Sequence, residues 1–287
     1  MKQLGRPRAN NIDRIDMNGI IVIEKPKTKF QDIIGCEDAK DVLKDFSYSL
    51  KDEDSYHKKF GCRNHRGILL HGPEGCGKTL LAQALCRNTT AIFYKVRITD
   101  LIVRWFSETE KNLRLILEDA ARRAEAEKTS CIIYFDQMES IFSRFNEASR
   151  DGLTMRLCAV LREQMSDFIR SDNVYLLGCA RDLDLIDQSI LNPELFSCII
   201  QLDVPTVENI KKYLEYLVQQ ACEAAERKNW INADLTILAK KFEGLTYSQI
   251  SNHFNNVLIK RARKWKASNT TEVVRDQKLL VLRTEDF

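Results

Sequence analysis

The octapeptide "GPEGCGKT" at residues 72–79 decides the fold of this chain. It matches the pattern G-x-x-x-x-G-K-[ST], in which glycines let backbone N–H groups turn inward around a phosphate. A short apolar stretch precedes it and a helix-period apolar pattern follows it. The sequence therefore predicts a strand, a phosphate-binding loop and a helix, with the positive end of the helix dipole facing the phosphates.

A second stretch, "CIIYFDQMES" at residues 131–140, supplies an acidic partner for this loop. Its apolar run is typical of a strand buried on both faces, and Asp136 follows where that strand ends. Lys78 would reach the β- and γ-phosphates of ATP, while Thr79 directly and Asp136 partly through water would hold Mg. The predicted nucleotide-binding residues are Gly72, Gly75, Cys76, Gly77, Lys78, Thr79, Leu80 and Asp136.

Strand and helix patterns alternate up to about residue 204. "AIFYKV" (91–96) and "VYLLGCA" (174–180) are further strands, and residues 107–127 are a helix opened by the capping box Ser107-x-x-Glu110. This alternation predicts an α/β domain with a doubly wound parallel sheet at residues 30–204. From Pro205 the strands stop, so residues 205–287 are predicted to be a small helical domain.

Two apolar stripes define the predicted helical domain, and the second follows a capping box at Thr246-x-x-Gln249. Because their members recur every three or four residues, each stripe should lie on one helical face. The stripe residues are Ile210, Tyr213, Leu214, Leu217, Val218, Ile250, Phe254, Val257 and Leu258.

Composition limits the function classes. The net charge of +3 is too small to indicate a nucleic-acid partner, although residues 1–29 carry seven Lys/Arg and are predicted to be a flexible basic arm. No apolar run approaches the ~18–20 residues of a membrane span, and no secretory signal pattern is present. Nine cysteines without a C-x-x-C pair indicate reduced thiols rather than a zinc site, and hence a cytoplasmic or nuclear location.

The two motifs (Walker A and Walker B) and the order of the stretches around them resemble the classical AAA clade of the AAA+ ATPases. "DIIGCEDAK" (32–40), "LIVRWFSETEKNLR" (101–114) and "GLTYSQI" (244–250) carry the likeness, which is nearest to valosin-containing-protein-like or katanin-like cassettes. The resemblance implies a P-loop NTPase sheet, the AAA+ large domain, followed by a helical lid. It also implies a ring, a hexamer, formed with itself or related AAA subunits.

The resemblance assigns Trp105 and Phe106 to the central pore, where the family grips a polypeptide substrate. Trp105 matches the pore aromatic, and Arg104 before it resembles the usual lysine. The alternative is an aromatic pair that packs locally onto the following helix.

Departures from the family pattern fall on hydrolysis. Gln137 stands where the family has the glutamate that polarises the attacking water, and an amide can position water but cannot take its proton. Arg181 occupies the first-sensor position, where the family has Asn, and Leu195 and Cys198 occupy the two arginine-finger positions. General-base help is worth about 10²–10⁴-fold in rate and an arginine finger roughly 10³–10⁵-fold.

Three positions, Glu74, Arg181 and Tyr247, leave alternatives open. Arg181 would either supply positive charge to the γ-phosphate or pair with Asp182 or Asp184. Tyr247 would either stack on the base or crowd it. Glu74 would repel phosphate if it pointed into the loop and would be harmless if it pointed outward.

The sequence predicts an AAA-type ATP-binding protein that is a weak or inactive ATPase, a pseudo-ATPase, and that serves as a subunit or regulator of an AAA ring. The first alternative is an active ATP-hydrolysing unfoldase or remodelling ATPase with slow turnover. The second alternative is an interaction scaffold that binds no nucleotide.

Overall fold

The computed structural model describes residues 14–16, 21–23, 26–50, 60–61, 65–97, 101, 106–143, 153–168, 173–225, 231–268, 282–284 and 287. The chain divides into two compact units. The first comprises residues 1–32, 37–72 and 78–201, and the second comprises residues 33–36, 73–77 and 202–287. The second unit therefore includes five residues of the predicted phosphate loop.

A seven-stranded sheet forms the centre of the first unit, with the order β1-β2-β4-β5-β6-β3-β7. Strands β3 to β7 are all parallel, whereas β1 and β2 add an antiparallel pair at the β4 edge. The predicted parallel α/β sheet is thereby confirmed. The strands are β1 (Arg14–Asp16), β2 (Ile21–Ile23), β3 (Gly67–His71), β4 (Ile92–Val96), β5 (Cys131–Phe135), β6 (Val174–Ala180) and β7 (Cys198–Gln201).

The sheet extends into the basic N-terminal segment. Strands β1 and β2 lie within residues 1–29, for which the sequence predicted a flexible arm. Their pairing carries the sheet two strands beyond β4, since Ile21 lies opposite Val96 and Arg14 opposite Ile23.

Strands β5 and β6 are buried along their whole length, as their continuous apolar runs predicted. Helices flank the sheet: α1 (Glu37–Ser49), α2 (Lys78–Asn88), α3 (Phe106–Ala126) and α4 (Leu153–Phe168). Because parallel strands end at one edge, the carboxyl ends of β3, β5 and β6 bring the start of the phosphate loop, Asp136 and Arg181 to the same edge of the sheet.

The described part of the second unit contains three helices: α5 (Val207–Ala224), α6 (Leu235–Lys241) and α7 (Tyr247–Ser268). Both predicted apolar stripes contribute to its core, in which Ile210, Leu214 and Phe254 are buried. The capping box is also confirmed, because Thr246 N donates to Gln249 Oε1 at 2.9 Å and Gln249 N donates to Thr246 Oγ1 at 3.4 Å.

The prediction that strands stop at Pro205 is wrong. Strands β8 (Ile231–Asn232) and β9 (Leu282–Arg283) form a parallel pair in the second unit. Two residues are too few to show the alternation by which a strand is recognised in sequence. Among the described helices, none is long and apolar enough to cross a membrane.

A buried carboxylate joins helix α3 to strand β4. Asp119 is only 3% exposed and accepts a hydrogen bond from the Tyr94 hydroxyl at 2.7 Å. Arg123 Nε lies 2.9 Å from the same carboxylate, with which Arg122 also pairs. Burial alone would raise the pKa of Asp119, but the hydrogen bonds from Tyr94 and Arg122 and the charge of Arg123 hold it below its ordinary value. These partners replace the water that the carboxylate loses on burial.

We predict that Tyr94→Phe lowers the free energy of unfolding by about 1.5–3 kcal/mol at pH 7, the range for a hydrogen bond to a charged group. Because the pKa of Asp119 is lowered in the fold, its ionised contribution is complete above its ordinary value of 3.8 and is lost as pH falls through the folded pKa. Urea denaturation should therefore show a smaller difference between wild type and variant below pH 3.8. A difference that stays constant from pH 7 to acid would contradict this role of Asp119.

Candidate nucleotide-binding site

The loop at residues 72–79 connects β3 to α2, and its glycines adopt conformations that other residues avoid. Gly72, Gly75 and Gly77 have φ angles of 142°, 81° and 100°. Lys78 Nζ donates a hydrogen bond to the carbonyl oxygen of Gly72 at 2.6 Å. The Lys78 side chain thus folds back to the first residue of the loop. Leu80, in the first turn of α2, is 48% exposed.

In the second unit, Gly75 allows helix α7 to approach the loop closely. Ser248 N donates to the Gly75 carbonyl at 3.3 Å. A Cβ atom at Gly75 would lie 2.6 Å from both Cβ and Oγ of Ser248, so only glycine fits there. Cys76 is fully buried, and its carbonyl oxygen lies 3.8 Å from Cys36 Sγ. The middle of the loop is therefore packed on two sides.

Tyr247 lies near another glycine of the second unit. A Cβ atom at Gly35, whose φ is 77°, would clash with the Tyr247 hydroxyl and would lie 3.0 Å from Asn209 Nδ2. The Tyr247 ring also meets the Tyr213 ring edge to face, with centroids 5.0 Å apart. Tyr247 is thus held by neighbours of its own unit. In the phosphate loop, the Glu74 side chain is exposed.

The structure brings together the two predicted magnesium residues. Thr79 Oγ1 lies 3.4 Å from Asp136 Oδ2, the first from the opening turn of α2 and the second from the end of β5. Hydroxyl and carboxylate oxygens are ligands that Mg²⁺ prefers, and magnesium usually keeps several waters with one or two carboxylates. The residues present therefore fit a magnesium ion that Thr79 would ligate directly and Asp136 partly through water.

Gln137 adjoins this pair and has an unusual backbone. Its φ of 53° and ψ of 54° are left-handed, which is uncommon for a residue other than glycine and recurs at functional sites. Gln137 N donates to Asp136 Oδ1 at 3.1 Å, and the residue is exposed at the start of a 3₁₀ turn, Met138–Ser140. An amide therefore stands immediately beside the predicted metal carboxylate.

Glu139, the first acidic residue after Gln137, makes its hydrogen bond at the end of β6. Glu139 Oε2 accepts a hydrogen bond from Arg181 N at 3.3 Å, which ties the 3₁₀ turn to the end of β6. Glu139 is half-buried, and Arg181 is exposed. The Glu139 carboxylate thus holds backbone at the sheet edge.

The two positions that the resemblance gives to arginine fingers hold uncharged side chains. Leu195 is fully buried in the core of the first unit, beside Phe196. Cys198 is the half-buried first residue of β7, and burial raises the pKa of its thiol. A buried leucine contributes packing free energy but no charge.

The predicted pore residues lie largely beyond the structural description. Trp105 falls outside the described residues, and of Phe106 only the backbone is described. Helix α3 begins at Phe106, one residue earlier than the predicted capping residue Ser107. The pore assignment stays a prediction.

Two buried residues of the first unit, Tyr134 and Cys179, form a contact that the sequence does not predict. In the sequence both belong to continuous apolar runs, although a phenol inside a buried strand needs a hydrogen-bond partner. The Tyr134 hydroxyl donates to Cys179 Sγ at 3.6 Å. Burial raises the pKa of Tyr134 far above its ordinary value and that of Cys179 to about 12, so both keep their protons at neutral pH.

A comparison with protein families agrees with this geometry. A family model described as "ATPase family associated with various cellular activities (AAA)" matches residues 68–204. The match includes the phosphate loop, Asp136 and Arg181, and it runs from β3 past the end of β7. Residues 68–204 are therefore an AAA ATPase domain, and proteins of this family generally bind ATP with Mg.

We predict that Gly75→Ala abolishes the rise in Tm that Mg-ATP produces, because the new methyl group would displace the loop from Ser248. Gly244→Ala is a matched control, since Gly244 has a φ of 82° and nothing within 4 Å of a Cβ atom. Both variants should lose about 1–2 kcal/mol of stability from the left-handed conformation. A thermal-shift assay in which both variants respond to Mg-ATP, or neither does, would contradict the prediction.

Proposed function

We propose that this chain is an AAA-type ATP-binding protein that hydrolyses ATP weakly or not at all and acts as a subunit or regulator of an AAA ring. The AAA domain at residues 68–204 supports ATP binding. So do the conformation of the phosphate loop and the 3.4 Å separation of Thr79 Oγ1 and Asp136 Oδ2.

The proposal of weak or absent hydrolysis depends most on Gln137. It stands beside Asp136, where the resemblance places the glutamate that takes a proton from the attacking water. An amide lacks a basic oxygen at neutral pH, so this substitution alone removes about 10²–10⁴-fold in rate. Glu139, two residues further along, directs its carboxylate to the end of β6, where it accepts a hydrogen bond from Arg181 N.

Leu195, at an arginine-finger position, also supports weak or absent hydrolysis when this chain is part of a ring. An arginine finger stabilises charge on the transferring phosphoryl group of a neighbouring subunit and is worth roughly 10³–10⁵-fold in rate. Leu195 is buried and uncharged, and Cys198 is half-buried. A subunit with these residues would bind its own ATP but would give its neighbour no catalytic arginine from these positions.

ATP that is not hydrolysed would act as a long-lived ligand. A ligand that binds only the folded state stabilises it by RT ln(1 + [L]/Kd), about 2.7 kcal/mol at a hundredfold excess over Kd. Bound ATP would thus fix one conformation of this subunit while other members of a mixed ring hydrolyse.

We predict that Gln137→Glu raises the rate of phosphate release from Mg-ATP by about 10²-fold, the lower end of the range for a general base, because the arginine-finger positions remain uncharged. Gln137→Asn is the matched control: it keeps the amide, tolerates the left-handed backbone and should show no gain. The double variant Gln137→Glu, Asp136→Asn should also show no gain in phosphate release. That result would exclude a contaminating ATPase as the source of the activity.

The outcomes separate the three candidate functions. Wild-type turnover that clearly exceeds the background of the Asp136→Asn variant and equals that of Gln137→Glu would overturn the proposal in favour of the active ATPase. Absence of any Mg-ATP effect on the Tm of the wild-type protein would favour the nucleotide-free scaffold.

A further inference from the structure

The second half of helix α7 carries a dense group of cations. The group is Lys260, Arg261, Arg263, Lys264 and Lys266, and the sequence of α7 contains no Asp or Glu. Four of the five cations are exposed, and Arg261 is half-buried. The net charge of the whole chain, +3, conceals this group because acidic residues elsewhere offset it.

Lys260, Arg263 and Lys264 form one surface, the α7 cation surface. Residues three and four apart are neighbours on a helix, so these three lie within an arc of about 100° and within about 6 Å along the helix axis. The apolar residues of the same helix are already packed, since Phe254 and Val257 are buried in the core of the second unit. The exposed part of α7 is therefore defined by charge.

The helix dipole does not account for this surface. Cations stabilise the C-terminal end of a helix, but the effect falls off within the last turn. Helix α7 ends at Ser268, and both Lys260 and Arg263 lie more than one turn before that residue. These two cations therefore gain little from the dipole.

The usual charge pattern of a solvated helix does not account for it either. In α5, Lys212 pairs with Glu208 one turn away, at 2.9 Å. In α7 the residue one turn from Lys260 is Lys264, and like charges at this spacing destabilise a helix. An anionic partner would relieve this repulsion.

The backbone of a nucleic acid matches the charge density of the α7 cation surface. The surface places three cations in about 6 Å, while nucleic acid carries one phosphate charge per about 3.4 Å of each strand and per about 1.7 Å of a duplex. Acidic peptides match less well, because runs of like charge are disordered and an extended chain places side chains on one side only about every 6.6 Å. A membrane also fits less well, because interfacial helices insert apolar residues, and those of α7 lie in the core.

We propose that the α7 cation surface binds the phosphate backbone of a nucleic acid without reading its base sequence. Lys260, Arg263 and Lys264 would donate hydrogen bonds to phosphate oxygens and release the counterions condensed on them. This activity goes beyond the proposed function, and it requires neither ATP nor hydrolysis.

The test is the fluorescence anisotropy of a labelled mixed-sequence DNA duplex, and of a single-stranded RNA of the same length, titrated with full-length protein between about 50 and 200 mM salt. The triple variant Lys260→Gln, Arg263→Gln, Lys264→Gln removes the surface but keeps good helix formers. Its Kd at about 50 mM salt should be roughly tenfold or more above that of the wild type. The slope of log K against log[salt] should become smaller in magnitude by about 2–3, close to 0.9 for each lost phosphate contact.

A matched control loses the same charge from other helices of the second unit. Lys211→Gln, Lys240→Gln, Lys241→Gln also replaces three exposed lysines or arginines, here on α5 and α6. This control should change the Kd less than about twofold, because these residues lie outside the α7 cation surface. Circular dichroism should show wild-type helicity in both triple variants, since all six positions are exposed.

The results separate the possible partners. Weakened binding of DNA, of RNA or of both in the α7 variant alone supports the inference and identifies which nucleic acid the surface takes. Equal loss in the control would overturn it in favour of general charge attraction, and a wild type that binds neither probe at about 50 mM salt would also overturn it. If polyglutamate of equal charge displaces the wild type more strongly than nucleic acid does, the partner is an acidic peptide. If only binding to phosphatidylserine vesicles is lost in the α7 variant, the partner is a membrane, and either result would overturn the inference.

Discussion

The approach of Thr79 Oγ1 to Asp136 Oδ2, 3.4 Å apart, is the contact on which the account of this molecule depends. It exists because β3 and β5 are parallel and end at the same edge of one sheet, with β6 between them. The buried apolar residues of β5 and β6 hold these strand ends in place. A site assembled in this way is fixed by the core, so it persists when exposed residues beside it change.

Binding and hydrolysis depend on different parts of this edge. In the proposed function, phosphate binding would use backbone N–H groups, a helix N-terminus, Lys78 and Thr79, whereas hydrolysis needs a base and an arginine at single side-chain positions. The resemblance places Gln137 and Leu195 at those single positions, and neither residue prevents the strands from meeting. A protein can therefore lose catalysis in this fold while it keeps the nucleotide site.

The local features of the fold could be predicted from sequence because their causes are local. The glycine spacing of residues 72–79, the apolar run of β5 and the capping box at Thr246 each act within a few residues. Contacts between distant segments could not be predicted: the Tyr134 hydroxyl looked like part of an apolar run, and its approach to Cys179 depends on strand pairing. The two-residue strands β8 and β9 gave no pattern at all.

The most direct test of the central claim is the identity of the nucleotide that remains on purified wild-type protein after hours with Mg-ATP. The nucleotide would be released by denaturation and separated by ion-exchange chromatography. The account predicts intact ATP, since the site keeps Thr79 and Asp136 but places an amide at residue 137. Recovery of ADP would mean that other groups supply the missing base and charge, and would contradict the proposal that this chain hydrolyses ATP weakly or not at all.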